Sequence, residues 1–245
     1  MKRVELIAVD GVPEVQPGDD LGEMIGSRAI LQAGDVVVVA QKVVSKAEGR
    51  IVDLDTITVT ARAVDIAARL IARPDPRMVQ VALNESVRVL RSERVLITET
   101  RHGFVCANSG VDHSNVGGRN ALTLLPLDPD ASASRLRDRL REVTGVEVGV
   151  IVSDTFGRPW RLGIVNVALG VAGLPALVDL RGSLDDDGKP LHATVLAVAD
   201  DAAAAAGIVM GKTGRSPAVI VRGAQLAGGG TGRELIRAPE EDLFR

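Results

Sequence analysis

Short aliphatic runs bounded by turn residues alternate along this chain with stretches whose apolar positions recur three and four apart. The first pattern marks interior strands and the second marks helices. Val4 to Val9 reads as a first strand, followed by GVPEVQPGDD, a loop built on Pro and Gly. Asp19 or Asp20 then caps a short helix running to about Leu31. Gly34-Asp35 is a turn, Val36 to Ala40 a buried strand, and Gln41 to Lys46 its polar exit. Ala63, Ile66, Ala67, Leu70 and Ile71 give Thr60 to Arg73 helical spacing, stopped by Pro74. Arg94 to Thr100 and Phe104 to Asn108 flank Arg-His-Gly as a hairpin. Asp130 to Thr144 is an amphipathic helix with Ser132 or Ser134 near its start and Gly145 just past its end. Val148 opens a buried strand that ends in the pair Asp154-Thr155. Gly163 to Leu180, rich in Val, Ala and Gly, leads to an acidic turn at Asp185 to Gly188. An Ala-rich helix over Ala193 to Met210, a strand over Pro217 to Arg222 and a flexible loop at Gly228 to Gly230 complete the pattern. Strands and helices mix without regular βαβ alternation. The prediction is an α+β fold, with mixed or antiparallel sheets and flanking helices, rather than a doubly wound one. No repeat or break in composition divides residues 1–245, so a single unit is expected, with the boundary between any two subdomains unassigned.

Composition narrows the function. At 245 residues, 46% hydrophobic and 25% charged, the chain has the makeup of a soluble globular protein with a substantial core. Aromatic residues are only 2%, with no Tyr, so the core is built from Val, Leu, Ile and Ala. That scarcity argues against base stacking, and a net charge of −3 argues against electrostatic nucleic-acid binding. Cys106 is the only cysteine, which rules out an intrachain disulfide and a cysteine zinc cluster and fits a reducing, cytoplasmic setting. Within HGFVCANSG it reads as a small buried hydrophobe. The N-terminal segment lacks a signal-peptide stretch, and no run of 18 apolar residues predicts a membrane span.

The segment VGVIVSDTFGRPWR, Val148 to Arg161, carries the clearest chemistry. Asp154 and Thr155 supply hard oxygens of the type magnesium or manganese prefers. Arg158 and Arg161 supply planar forks suited to a phosphate or carboxylate of the substrate. The same segment is also what a strand-to-loop junction with a capping Asp and solvated arginines looks like. In NSGVDHSNVGG, Asp112 could be a second metal carboxylate, Ser114 and Asn115 donors to phosphate or nucleobase, and the glycines a close backbone approach to an anion. These residue types are equally the default turn formers. Lys42 and Lys46 suit phosphate as point charges, or form an exposed basic strand end. Gly211-Lys212-Thr213 is not a P-loop, because Ala206 stands where its first Gly is required and the segment closes a helix. His102, His113 and His192 lack the spacing of a histidine zinc site, and neither a G-x-S-x-G elbow nor a G-x-G-x-x-G turn is present.

In their order, GVDHSNVGG, LLPLDPDASASRLR, GVIVSDTFGRPWRLG, VDLRGSLDDDGKPL and VMGKTGRSPAVIVRG resemble the coenzyme F420-0:L-glutamate ligases, from the first strand to at least Arg222. GVPEVQPGDDL and the VVSK segment agree. The resemblance implies enzymes that add L-glutamate through a γ-linkage to the phospholactyl tail of a deazaflavin coenzyme, hydrolysing GTP to GDP and phosphate. It implies a divalent cation, magnesium or manganese, assistance by potassium, and an intertwined homodimer with a family-specific α+β ligase fold. Carried over by position, the metal ligands fall on Asp112, Asp154 and Thr155. The GTP contacts fall on Val12, Pro13, Glu14, Val15, Gln41, Lys46 and Asn115, and within Met210 to Pro217 on Gly211 and Lys212. Gln41 stands where Ser is common in relatives. Lys212 and Arg215 stand where archaeal members tend to have Gln and Glu, so a second metal site resting on those two must differ here. The expected partners are GTP, L-glutamate, coenzyme F420-0 and a second copy of the chain, with neither nucleic acid nor membrane. Two other readings remain: a non-catalytic guanine-nucleotide and metal-binding module, and a metal-dependent phosphohydrolase. APEEDLFR resembles the junction to a C-terminal nitroreductase-like domain carried by some relatives; no such domain is expected within these residues.

Overall fold

The computed structural model describes residues 3–116, 119–211 and 216–242, and of residues 114–116 and 119 the backbone alone. The chain opens with β1 (Glu5–Ala8), α1 (Leu21–Gly26), β2 (Val36–Ala40) and α2 (Gln41–Ala47). It continues through β3 (Ile51–Asp53), α3 (Ala61–Arg69), α4 (Pro76–Asn84), β4 (Ser86–Glu93), β5 (Val95–Thr100), β6 (Val105–Ala107), β7 (Asp112–Val116) and β8 (Arg119–Thr123). It then forms α5 (Pro129–Thr144), β9 (Gly149–Arg158), β10 (Arg161–Ala172), β11 (Val178–Asp179), β12 (Val195–Leu196), α6 (Val198–Met210) and β13 (Ala218–Arg222).

A five-stranded sheet in the order β1-β13-β2-β9-β10 forms the centre. Strands β2 and β9 run parallel, and the other neighbours antiparallel. The run of four valines in β2 is fully buried because both faces of the sheet are covered. Val37 and Val39 join Val150, Val152 and Ile220 against Leu21 and Ile25 of α1 and Leu136 and Leu140 of α5. Val36 and Val38 join Ile151, Val219 and Val221 against Ala199, Ala202, Ala203 and Ala206 of α6. Arg222 closes the β13 end with a bidentate pair to the buried Asp35, its Nε donating to Oδ1 at 2.9 Å and its Nη2 to Oδ2 at 2.7 Å. Two further three-stranded sheets, β3-β8-β7 and β4-β5-β6, pack with α3 and α4 around separate smaller cores. The mixed α+β architecture predicted from the sequence is therefore present.

Several predicted boundaries move, each for a local reason. Gln41 to Lys46 is the body of α2 and not a polar strand exit; Val44 is buried in the central core, and Val43 and Ala47 pack against it at helical spacing. Helix α1 stops at Gly26 instead of Leu31. The Ser27 hydroxyl donates to the Glu23 carbonyl at 2.7 Å and Arg28 Nη1 to the Met24 carbonyl at 2.8 Å, so side chains satisfy its last turn. Helix α3 ends at Arg69, before Pro74, where Leu70 turns extended and bridges to Arg94. Helix α5 is capped by Asp128, with Pro129 at its first position, and not by Ser132 or Ser134; Asp128 accepts from the Ala131 amide at 2.9 Å. Helix α6 begins at Val198 because Val195 and Leu196 are held as a strand against Val178 and Asp179. Strand β9 does not end at Asp154-Thr155 but continues to Arg158 in a long hairpin with β10. The hairpin of β5 and β6, the turn at Asp185 to Gly188 and strand β13 lie where the sequence places them. Residues 75–93, which the hydrophobic pattern left unassigned, form α4 and β4, with Asp75 capping α4 and Pro76 opening it.

Candidate functional site

The parallel pairing of β2 with β9 sets the place of the main cavity. In that register Ala40 faces Ser153, so Gln41, which opens α2 where β2 ends, comes beside Asp154, which carries β9 on toward its hairpin with β10. Ligand sites in α/β sheets favour this carboxyl edge. A cavity of about 600 Å³ opens here. Its walls are the loop Val12–Pro13–Glu14–Val15, the first turns of α2, Asp112, the stretch from Ser153 to Thr155, and Asn166; Met210, Gly211, Ser216 and Pro217 complete them.

Each wall is fixed by identifiable contacts. The loop carrying Glu14 is tied down where the Gly18 amide donates to the Ala47 carbonyl at 2.8 Å and Arg28 Nε to the Gly11 carbonyl at 2.9 Å. Gln41 is buried, and its Nε2 donates to Ser45 Oγ at 2.5 Å and the Leu124 carbonyl at 3.0 Å. Its amide nitrogen therefore pins α2 to the chain beyond β8. Asp112 follows a tight turn in which Asn108 and Ser109 both take left-handed backbone angles. The buried Ser109 hydroxyl donates to the Ala82 carbonyl at 2.7 Å, and the Ser109 amide to Thr98 Oγ1 at 2.9 Å. Gly110 completes this turn at φ +68°, where a Cβ would meet Leu125 at 2.7 Å.

Charges of both signs line the cavity. Lys46, with its side chain 9% exposed, pairs with Glu14, and Lys42 pairs with Asp112 at 2.5 Å. Asp154 Oδ1 accepts from the Thr155 amide at 2.7 Å, and the Thr155 hydroxyl donates to Asn166 Oδ1 at 2.8 Å. Cys106 lies behind this wall. Burial, helped by the charge on Asp154, pushes its thiol up to about 12, so it stays protonated at neutral pH and serves as a buried apolar group.

Of the residues singled out from sequence, Val12, Pro13, Glu14, Val15, Gln41, Lys46, Gly211, Asp112, Asp154 and Thr155 share this one cavity. Asn115 has only its backbone described, in β7, and Lys212 lies outside the described residues. Arg158 and Arg161 do not line the cavity. They stand exposed at the far end of the β9–β10 hairpin, where Arg158 Nη2 donates to the Leu162 carbonyl. Sequence reading passed over Ser153 and Asn166, whereas Met210, Ser216 and Pro217, which also line the cavity, lie in the stretch Met210 to Pro217 that the resemblance pointed to. The only signal for Asn166 is one amide inside the apolar run GIVNVALG, in the way that a buried polar group asks for a partner.

Among the described residues no three His, Cys, Asp or Glu side chains converge as a closed metal cage. The two carboxylates and the hydroxyl that line the cavity, Asp112 from β7 and Asp154 and Thr155 from β9, are instead a sparse hard-oxygen set. That set fits magnesium or manganese, which keep positions open for phosphate oxygens and water. Among the described residues no helix is long and apolar enough to cross a membrane.

A family model described as F420-0:Gamma-glutamyl ligase matches residues 11–223. The chain is 47% identical over 244 residues to the coenzyme F420:L-glutamate ligase of Archaeoglobus fulgidus, covering 99% of this chain and 97% of that protein. The protein of the same name from Methanocaldococcus jannaschii is 42% identical over 249 residues, covering 100% and 98%. That of Haloarcula marismortui is 47% identical over 247 residues, covering 99% and 96%.

Proposed function

The chain belongs to the F420-0:gamma-glutamyl ligase family, and from that premise we propose that it joins L-glutamate to coenzyme F420-0, driven by GTP, the γ-linkage forming where the γ-carboxyl of an attached glutamate receives the next one. The observation that carries this reading is one cavity in which lysines able to hold a phosphate tail meet hard oxygens able to hold its counter-cation.

The chemistry follows from what the substrates require. A carboxylate does not accept an amine at neutral pH, so the tail carboxylate of F420-0 must first be activated. Attack of its oxygen on the γ-phosphorus of GTP breaks the bond to the β-phosphate oxygen, releases GDP and gives an acyl phosphate. The amine of glutamate then attacks the acyl carbon, a C–N bond replaces the C–O bond, phosphate departs, and the ammonium proton passes to solvent. Lys46 steadies the phosphate tail from the buried side, and the loop from Val12 to Val15 covers the nucleoside. Asp112, Asp154 and Thr155 would hold magnesium or manganese, which supplies charge neutralisation to the phosphates. Potassium, implied by the resemblance, has no residue assigned to it. Positioning and neutralisation suffice, and no covalent protein nucleophile is required.

We propose further that the enzyme works as a homodimer in the cytoplasm. Trp160, Leu162 and Ile164, at 77%, 96% and 62% exposure, make the hairpin tip an apolar surface suited to a second copy. Arg158 and Arg161 belong to that tip, and a role for them on substrate anions depends on this assembly.

The test is mass spectrometry of F420-0 incubated with the protein, GTP, manganese and L-glutamate, with each component omitted in turn. Mass gains of one or more glutamyl units that vanish with any omission support the ligase. GDP release without a mass gain would make the protein a phosphohydrolase, and tight GTP binding without turnover a binding module.

A further inference from the structure

We infer that Asn166 is a positioning residue for this reaction: it fixes the direction of the Thr155 hydroxyl and thereby the ability of that oxygen to receive a divalent cation. The inference rests on the proposed assignment of Thr155 as a cation ligand. Asn166 and Thr155 are direct partners in the antiparallel register of β9 and β10, and both line the cavity. The Thr155 hydroxyl lies 2.8 Å from Asn166 Oδ1.

The amide is held from its other side by α6. Asn166 Nδ2 faces Met210 Sδ at 3.8 Å. A thioether sulfur accepts hydrogen bonds weakly and cannot donate, so the amide nitrogen belongs on that side and the carbonyl oxygen on the side of Thr155. Gly207 makes room for this pose, since a Cβ there would stand 3.1 Å from Asn166 Cγ and 3.2 Å from Nδ2. The consequence is chemical. An amide oxygen only accepts, so the Thr155 hydroxyl must donate its proton to Asn166, and what it offers any other neighbour is a lone pair. A cation needs lone pairs, and a hydroxyl proton turned toward it would repel it. Packing alone does not call for an amide here, because the residues around position 166 in β10 are Ile, Val, Ala and Leu, and an unbonded amide in such a run is costly.

The experiment is a double-mutant cycle read by manganese binding in the presence of GDP, with free Mn²⁺ followed by electron paramagnetic resonance. The proteins are the parent, Thr155→Val, Asn166→Ala and the double variant, with thermal melting as the check on folding. Outer-shell partners of metal ligands are worth about 10- to 100-fold in metal affinity, so Asn166→Ala is expected to weaken Mn²⁺ binding on that scale. In the Thr155→Val background the same change is expected to do nothing further, because the oxygen it orients is gone. If Asn166→Ala fails to fold, Gly207→Ala, which displaces the same amide from the helix side, takes its place in the cycle. Unchanged affinity in the Asn166 variant, or equal losses in both backgrounds, would overturn the inference while leaving Thr155 a ligand. A Thr155→Val protein that binds Mn²⁺ as tightly as the parent would overturn the cation assignment, and the inference with it.

Discussion

Replacing Lys46 with methionine isolates the anion-holding half of the cavity. Methionine keeps the length and apolar stem of lysine and removes the charge. The side chain is 9% exposed while its partner Glu14 is 65% exposed, so the two ends of this ion pair differ in what they lose. Glu14 passes to water at little cost, and a pair with one solvated member contributes no more than about 1 kcal/mol to folding. Thermal stability should therefore stay close to that of the parent. Binding should not. A hydrogen bond from a charged donor contributes about 1.5–3 kcal/mol, and because Lys46 must exchange Glu14 for phosphate we expect the lower part, about 1.5–2 kcal/mol. That corresponds to about 10- to 30-fold in the dissociation constant for GDP or GTP. Isothermal titration with Mn²⁺ present measures the affinity, and melting curves on the same samples measure the fold. A Lys46→Met protein that melts like the parent and binds nucleotide within twofold of it would refute the reasoning and make Lys46 merely the buried partner of Glu14.

Asp154→Asn keeps the shape of the side chain and an oxygen able to accept from the Thr155 amide, so the fold should survive while turnover falls by about 100-fold or more, the scale of losing one electrostatic contact at the reacting groups; full activity in this variant would remove Asp154 from the metal site. Cys106 sets a pH limit on stability. Its thiol is raised in the folded protein from 9.0 to about 12, so its contribution is complete below pH 9 and is lost as pH climbs toward 12. The span corresponds to at most about 4 kcal/mol. Urea unfolding between pH 8 and 11 should show the decline in the parent and a shallower one in Cys106→Ala; matching curves would mean that other groups cause it.

Local pattern carries most of the elements. The valine run of β2, the Asp20 cap of α1 and the Gly145 end of α5 are written in adjacent residues, and so is the hairpin at Arg101-His102-Gly103. The boundaries that moved did so where distant contacts outweigh local preference. Leu70 leaves α3 to pair with Arg94, and Val195 and Leu196 leave the Ala-rich run to pair with β11. Gln41 to Lys46 has a polar surface fit for an exit loop, but Val44 fits a core that no window of six residues reveals.

The site divides in the same way. Sequence motifs and their resemblance to a known family supplied the chemistry of Asp112, Asp154, Thr155 and Lys46 one segment at a time. Nothing local could place these segments together, because proximity between residues 12, 46, 112, 154 and 166 is a property of strand order. The parallel contact of β2 with β9 sets Gln41 beside Asp154, and the antiparallel register of β9 with β10 sets Asn166 across from Thr155 while carrying Arg158 and Arg161 away to the hairpin tip. Side-chain chemistry is a property of each residue and travels with the sequence. Which side chains meet is decided by hydrogen-bonded register between distant strands, and that exists only once the chain has folded.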